Sequence, residues 1–242
     1  MKFLGKRNSD NDSAIWLSNS DLMAGLMIIF LFIAVGFIRE KAPEIVGQQK
    51  YIMNYLSSLD IQERKIIDAL ENEFTEDEKK NWNLEIIHEE QLIRFNAPDV
   101  MFNLNADELT SRYKKIINTF FPRYIRTLSG FGSIIKEIRI EGHTSSEWEG
   151  VSNETAYYKN MILSQKRTIS VLNQAFNSIL KTGTTRENRK WAFKKVSASG
   201  MSSRNLVLLD NGKEDANKSR RVEFRYILLN DAKINFIKKN LQ

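Results

Sequence analysis

With 242 residues, the chain is long enough for one membrane anchor and one medium-sized domain. It has no cysteine, which excludes disulfides, zinc–thiolate sites and thiol catalysis. Its two histidines, His88 and His143, argue against a multi-histidine metal centre. The net charge is +6, and Lys2, Lys6 and Arg7 offset Asp10, Asp12 and Asp21, so the excess lies after the first 38 residues. No element shows lysine and arginine interleaved with aromatics, so this basic balance suits an anionic wall polymer better than nucleic acid.

Residues 1–14 are polar and form a short tail. From Leu22 to Ile38 no side chain is charged, and with Ile15–Ser20 the apolar stretch is long enough for a helix to cross a ~30 Å hydrocarbon core. The run is too long, and too poorly followed by a small-residue cleavage site, for a signal peptide; residues 15–38 are expected to be a retained transmembrane helix. Trp16 falls where an interfacial aromatic would sit. Asp21 is the one ionisable side chain between Ile15 and Ile38. An intramembrane carboxyl costs about 2.5–3.5 kcal/mol near a span centre and points to a proton or ion relay. The competing reading puts Asp21 at the headgroup level, capping the helix start behind Ser18, Asn19 and Ser20. Lys2, Lys6 and Arg7 before the span and Arg39, Lys41 and Lys50 after it hardly decide orientation.

Pro43 is expected to interrupt the helix after the span. Residues 39–83 read as a juxtamembrane helical linker, with Tyr51, Ile52, Tyr55, Leu56, Leu59, Ile66, Ile67 and Leu70 at helical spacing. Ser57, Ser58 and Asp60 are a candidate break. The segment packs on its own domain or plugs a channel.

Residues 84–242 alternate strands and helices. Leu84–His88 and Gln91–Phe95 predict two strands around a Glu89-Glu90 turn. A helix follows from Thr110 to Leu128, with a kink expected at Pro122. Ile134–Glu141 is a strand, followed by a turn from Gly142 to Ser146. Glu154–Leu180 predicts a long helix buried through Ile162, Ile169, Leu172 and Phe176. Thr182–Lys190 reads as a loop, Phe193–Ser199 as a strand, Gly200 as the start of a long loop, and Arg221–Leu228 as the last strand. Asp231–Gln242 reads as a short basic amphipathic helix. The fold class is α/β, an α+β sandwich of a mixed sheet with helices on one face, preceded by the transmembrane helix and linker.

Three segments in order carry a resemblance: Ile140-Glu141-Gly142-His143-Thr144, then Asn160 to Arg167, then Asn217-Lys218-Ser219-Arg220-Arg221-Val222-Glu223. They resemble the OmpA-like peptidoglycan-binding domain, with its G-H-T-D strand end, its N-x-x-L-S-x-x-R helix and its closing N-x-x-R-R-V-E strand. With a single acid-bearing span, the whole looks like the MotB family of stator B subunits. Trp16, Ser20–Met27 and Phe30-Leu31-Phe32 resemble in particular the MotB-like membrane component of Zorya anti-phage defence systems.

The resemblance implies a single-pass inner-membrane protein with a cytoplasmic N-terminus and a periplasmic domain. It implies five copies of a MotA-like (ZorA-type) multi-span partner around a homodimer of this chain, Asp21 as the proton-binding group, and peptidoglycan as ligand. No cofactor, metal, enzymatic activity or nucleic-acid partner is implied. The stem-peptide diaminopimelate would be gripped by Arg167, whose planar fork suits a carboxylate. Asn160 would bond the ligand or the loop, Leu163 would pack, and Arg220 and Arg221 are either surface charges or strand-end ligands. Ser145 stands where the family pattern has its aspartate, so Glu147 or Glu149 replaces that carboxylate or the ligand is read differently. Flagellar motility and a passive wall tether are the alternatives. His143 with Ser145 could suggest hydrolysis, but no orienting acid is evident.

Overall fold

The computed structural model describes residues 9–96, 101–102 and 107–229, without the side chains of 9–20, 45, 55, 56 and 59. The expected C-terminal amphipathic helix and Pro98 lie outside the described residues, as does the side chain of Trp16.

The chain divides into two compact units, Met1–Leu59 and Asp60–Gln242. In the first, the backbone is helical from Ser9 and continues as helix α1, Ser9–Glu73, with Pro43 inside it. The expected breaks at Pro43 and at Ser57–Asp60 do not occur. A proline removes one intrahelical donor and crowds the preceding turn, but an exposed helix can let solvent take the freed carbonyl. The stretch from Asp21 to Asn54 is long and apolar enough to cross a membrane and buries nothing against the protein. Because α1 starts at Ser9, Asp21 lies inside the helix rather than in its first turn, which removes the helix-start capping role.

The folded unit begins with the last turns of α1, not at Leu84. Ile66 and Leu70 are fully buried, so this part of the expected linker belongs to the core. Helix α2, Glu76–Trp82, starts with a capping box between Thr75 and Glu78. Strands β1, Leu84–Ile87, and β2, Leu92–Phe95, form the expected hairpin, with Gln91 in the left-handed region closing the turn. Helix α3, Ser111–Ser129, is capped by Thr110 and runs through Pro122. Strand β3, Ile135–His143, extends past the turn expected at Gly142.

Helix α4 spans Asn153–Lys181 and α5 spans Arg186–Lys195, where a loop and the start of a strand were expected. Thr185 caps α5 through the Asn188 amide, a signal present in the sequence but hidden among charged residues. Strand β4 is Val196–Ser202, α6 is the short turn Ala216–Ser219, and β5 is Val222–Leu228.

The sheet order is β1-β2-β5-β3-β4, with β3 and β4 parallel and the other pairs antiparallel. One face packs on the helices through Phe95, Ile138, Ile140, Phe224 and Tyr226. Phe120 meets Phe74, Phe95 and Phe224 at ring separations of 5.0–5.1 Å. Helix α4 does not bury Ile162 or Ile169, which are 42% and 45% exposed. Its inward side is Ala156, Asn160, Ser164, Thr168, Val171, Ala175, Ser178 and Ile179. Small residues there let the helix lie almost on the backbone of β3 and β4. A Cβ on Gly200 would stand 2.4 Å from the Gln165 amide nitrogen, and one on Gly142 would stand 3.0 Å from the Ser164 carbonyl.

Candidate functional site

The three resemblance motifs converge at one end of the sheet, where Gly142 of β3, Val222 of β5 and Phe95 of β2 lie in register. A shallow cleft opens there, lined among others by Phe102, His143, Ser164, Arg167, Arg220 and Arg221. Close approach of α4 builds it. Ser164 Oγ accepts the Ser202 amide at 3.1 Å, and Gln165 Oε1 accepts the Gly200 amide at 2.7 Å, which also satisfies donors of the edge strand β4. Ser202 is buried in the left-handed region, and its carbonyl accepts the Thr144 amide at 3.0 Å. The chain is thereby turned sharply at the end of β3.

Arg167 projects from α4 with its guanidinium carbon 4.7 Å from the centre of the Phe102 ring. Burial and the neighbouring Arg220 cation push its pKa below the ordinary arginine value, against the pull of Asp107. Bringing two guanidinium groups to one half-buried cleft is unfavourable in isolation and favours an anion between them. Arg220 itself donates to Asn217 Oδ1 at 2.5 Å.

Arg221 also lines the cleft, with two of its three guanidinium nitrogens engaged within the protein. Nε donates to Glu223 at 2.6 Å and one terminal nitrogen donates to the carbonyls of Asn205 and Ser219 at 3.0 and 3.2 Å. Its role is to hold the strand end. Asn160 is buried and donates to the carbonyls of Ser145 and Glu147 at 3.0 and 3.4 Å, so it bonds the loop. Ser145 is buried beneath that loop. Leu163 is half-buried on α4 and is not part of the cleft lining.

Glu147 and Glu149 are exposed. The carboxylate found at this loop is Glu214, which accepts the Ser146 amide at 3.1 and 3.3 Å and also the Ser146 hydroxyl. Sequence reasoning missed Glu214 because it lies 68 residues away on the turn before α6. Its position one residue before the Asp215 cap gives no sign of that contact.

Behind the cleft, the sheet face turned away from the helices carries an ionic lattice. Glu223 is 1% exposed and meets Arg94 Nε at 2.8 Å, Arg221 Nε at 2.6 Å and Arg225 at 3.4 Å. Glu141 meets Arg225 at 3.2 Å and Arg139 at 3.7 Å. Burial alone would raise the Glu223 pKa; His143 and Arg221 beside it outweigh burial and hold the carboxyl far below the usual range. Glu141 is likewise lowered, burial being outweighed by His143 and Arg225. His143 Nε2 lies 3.3 Å from Glu223 and 3.9 Å from Glu141, yet neither ring nitrogen has an aligned hydrogen-bond partner among the described residues.

Ligand atoms of Glu141, His143 and Glu223 fall within 4.8 Å of one another, a spacing a metal ion could use. The donor set fits such an ion poorly, because both carboxylates are already matched by arginines and a divalent cation would add unbalanced charge. The triad is better described as the buried lattice that fixes the strand ends under the cleft.

The "Zorya protein ZorB" of Escherichia coli is 38% identical to this chain over 229 residues, covering 93% of this chain and 94% of that protein. The chain belongs to the ZorB family. No family model matches it. Among solved structures, a MotB like protein from Desulfovibrio vulgaris aligns over 73% of this chain and 96% of its own, at 18% identity and a TM-score of 0.42. The periplasmic domain of Helicobacter pylori MotB aligns over 65% of this chain and 89% of its own, at 19% identity and a TM-score of 0.40. In this ZorB-family chain the motif residues Asn160, Arg167 and Arg221 thus belong to one neighbourhood, while Asp21 belongs to the other unit.

Proposed function

We propose that this chain is the wall-anchored, ion-carrying subunit of a stator-like inner-membrane motor in anti-phage defence. The helix around Leu22–Ile38 spans the inner membrane, with the N-terminus in the cytoplasm and the folded unit in the periplasm. Asp21 takes up and releases a proton. Five ZorA-type multi-span subunits surround a homodimer of this chain, and proton passage drives the ring about the anchored pair. Each charge crossing gains about 2.3 kcal/mol per 100 mV of membrane potential.

The observation that carries this reading is Asp21 itself, the one ionisable group between Ile15 and Ile38, set within helix rather than at its start. Ala24 and Gly25 share its face, and a Cβ on Gly25 would meet nothing within 4 Å, which leaves room for another helix to approach closely. Asp21→Asn keeps shape and removes titration. It is expected to assemble with its partner and to abolish protection against phage; full protection by that variant overturns the proton relay and leaves the passive tether. Membership of the ZorB family favours defence over flagellar motility.

In the folded unit, Arg167 with Arg220 forms the anion-gripping side of a peptidoglycan site, with Asn160 and Ser145 shaping the loop beside it. The full chain is expected to sediment with purified sacculi, and Arg167→Ala is expected to stay in the supernatant. Equal retention of the two would remove Arg167 from the site.

A further inference from the structure

Helix α5 carries a cationic face with no carboxylate partner among the described residues. Arg186, Arg189, Lys190, Phe193 and Lys194 fall at i, i+3, i+4, i+7 and i+8, which places them on one side of the helix. Arg186, Lys190 and Lys194 are exposed and Arg189 is half-buried. Among the described residues none of these four side chains pairs with a carboxylate, and Glu187 is the one acid on the helix. Amid the cations stands Phe193, 54% exposed, and at the end of α4 Leu180 is 52% exposed. The opposite side of α5 is anchored: Ala192 is fully buried, and Lys195 donates to the Ile135 carbonyl at 2.7 Å.

This face lies at the end of the sheet away from the cleft. Lys195 bonds the first residue of β3, whereas the cleft gathers around Gly142 and His143 at its last. Within the folded unit, the last turns of α1 reach that same end of the sheet. Glu63 accepts from Gln91 at 3.0 Å, and Gln91 in turn accepts the Tyr226 amide near the end of β5 that pairs with the start of β3.

We infer that the exposed face of α5 docks on an anionic bilayer surface. A polyanion alone would account for the cations but not for two large apolar side chains exposed beside them. Nucleic acid would want an open ring for base stacking, and one face of Phe193 already stacks on Phe176 at 4.6 Å. A headgroup layer accepts both features, with cations at the phosphates and apolar side chains at the acyl boundary. The inference is independent of the wall site and of Asp21, and it needs only a bilayer within reach.

The test places the full chain in nanodiscs of neutral phosphatidylcholine or of the same lipid with roughly one-third phosphatidylglycerol, and follows amide hydrogen exchange of residues 180–195. Four cations at a charged surface suffice for at least about a tenfold bias toward the docked state, so exchange there is expected to slow about tenfold in anionic discs. Salt at about 0.5 M is expected to reverse the effect. The variant R186E/K190E/K194E is expected to lose the lipid difference while keeping the exchange pattern of α3. Should that variant unfold, the comparison of wild-type chain in the two discs still decides. Equal exchange in both discs overturns the inference. So does protection by a DNA duplex added to neutral discs, without any difference between the two lipids.

Discussion

The molecule holds carboxylates in two opposite ways. Asp21 precedes the uncharged apolar run Leu22 to Ile38, with no ion pair or hydrogen bond among the described residues. Glu223 is 1% exposed and is surrounded by Arg94, Arg221 and Arg225. Surrounding a buried carboxylate with guanidinium groups converts its charge into architecture. One end of the chain thus has an acid without an ion pair among the described residues, and the other has one that holds strands in register.

Removal of each acid separates the two cases. Glu223→Ala leaves buried guanidinium groups without their shared carboxylate, and unfolding measured by urea titration is expected to show a loss of about 3–5 kcal/mol. A loss below about 1 kcal/mol would mean the lattice is solvated and the contrast with Asp21 is one of degree.

Acid titration probes the same lattice without mutation. Glu137, Glu141 and Glu223 all have folded pKa values below the ordinary 4.5, Glu137 chiefly through its bonds from Arg139. Their stabilising contribution is therefore complete above that ordinary value and is lost as pH falls through the lower folded values. Thermal stability is expected to be flat from neutrality to about pH 5 and then to decline, with a shallower decline in Glu223→Gln. A midpoint that rises on acidification would contradict the lattice.

Gly200→Ala tests the backbone approach that builds the cleft rather than its charges. The new methyl would sit against the Gln165 amide, so a destabilisation of about 1–3 kcal/mol and weaker sacculus binding are expected. Asp21→Asn should have the smallest effect on unfolding of the folded unit, within about 0.5 kcal/mol in the same titration. A large change would make Asp21 a structural residue and erase the distinction.

Much of the fold was legible in local pattern. The hairpin of β1 and β2, helix α3 with its buried aromatic stripe, and the alternation of β5 all follow from residues whose periodicity is enforced by burial on one side. Two errors share a cause. Helix α4 was expected to bury Ile162, Ile169, Leu172 and Phe176; Leu172 and Phe176 pack partly on the core, but Ile162 and Ile169 are exposed, and Asn160, Ser164 and Thr168 face inward because Gly142 and Gly200 bring the sheet backbone too close for anything larger. Helix α5 was expected to be a loop and the start of a strand because its exposed cations mask a short buried side formed around Ala192. Hydrophobic period reports burial only where the neighbouring surface is side chains.

The candidate site shows the same division. Asn160, Arg167 and Arg221 could be named in advance, but the choice between ligand and loop for Asn160, and between surface charge and strand end for Arg221, could not be made. Arg221 spends its donors on Glu223 and two carbonyls, Asn160 spends its amide on the loop, and Arg167 faces the cleft beside Arg220. Glu147 and Glu149, the expected substitutes for the family's aspartate, are exposed, and the loop is tied instead by Glu214 from a turn remote in the chain.

What the sequence determined by itself was the long apolar helix, the single acid within it, and the order of the motifs, because length, hydrophobicity and charge are additive along a chain. What only the tertiary structure decided was which charges meet. Coulombic and hydrogen-bond energies depend on separations of a few ångströms, and those separations are set by how closely α4 settles on two glycines and by the register of β3 with β5.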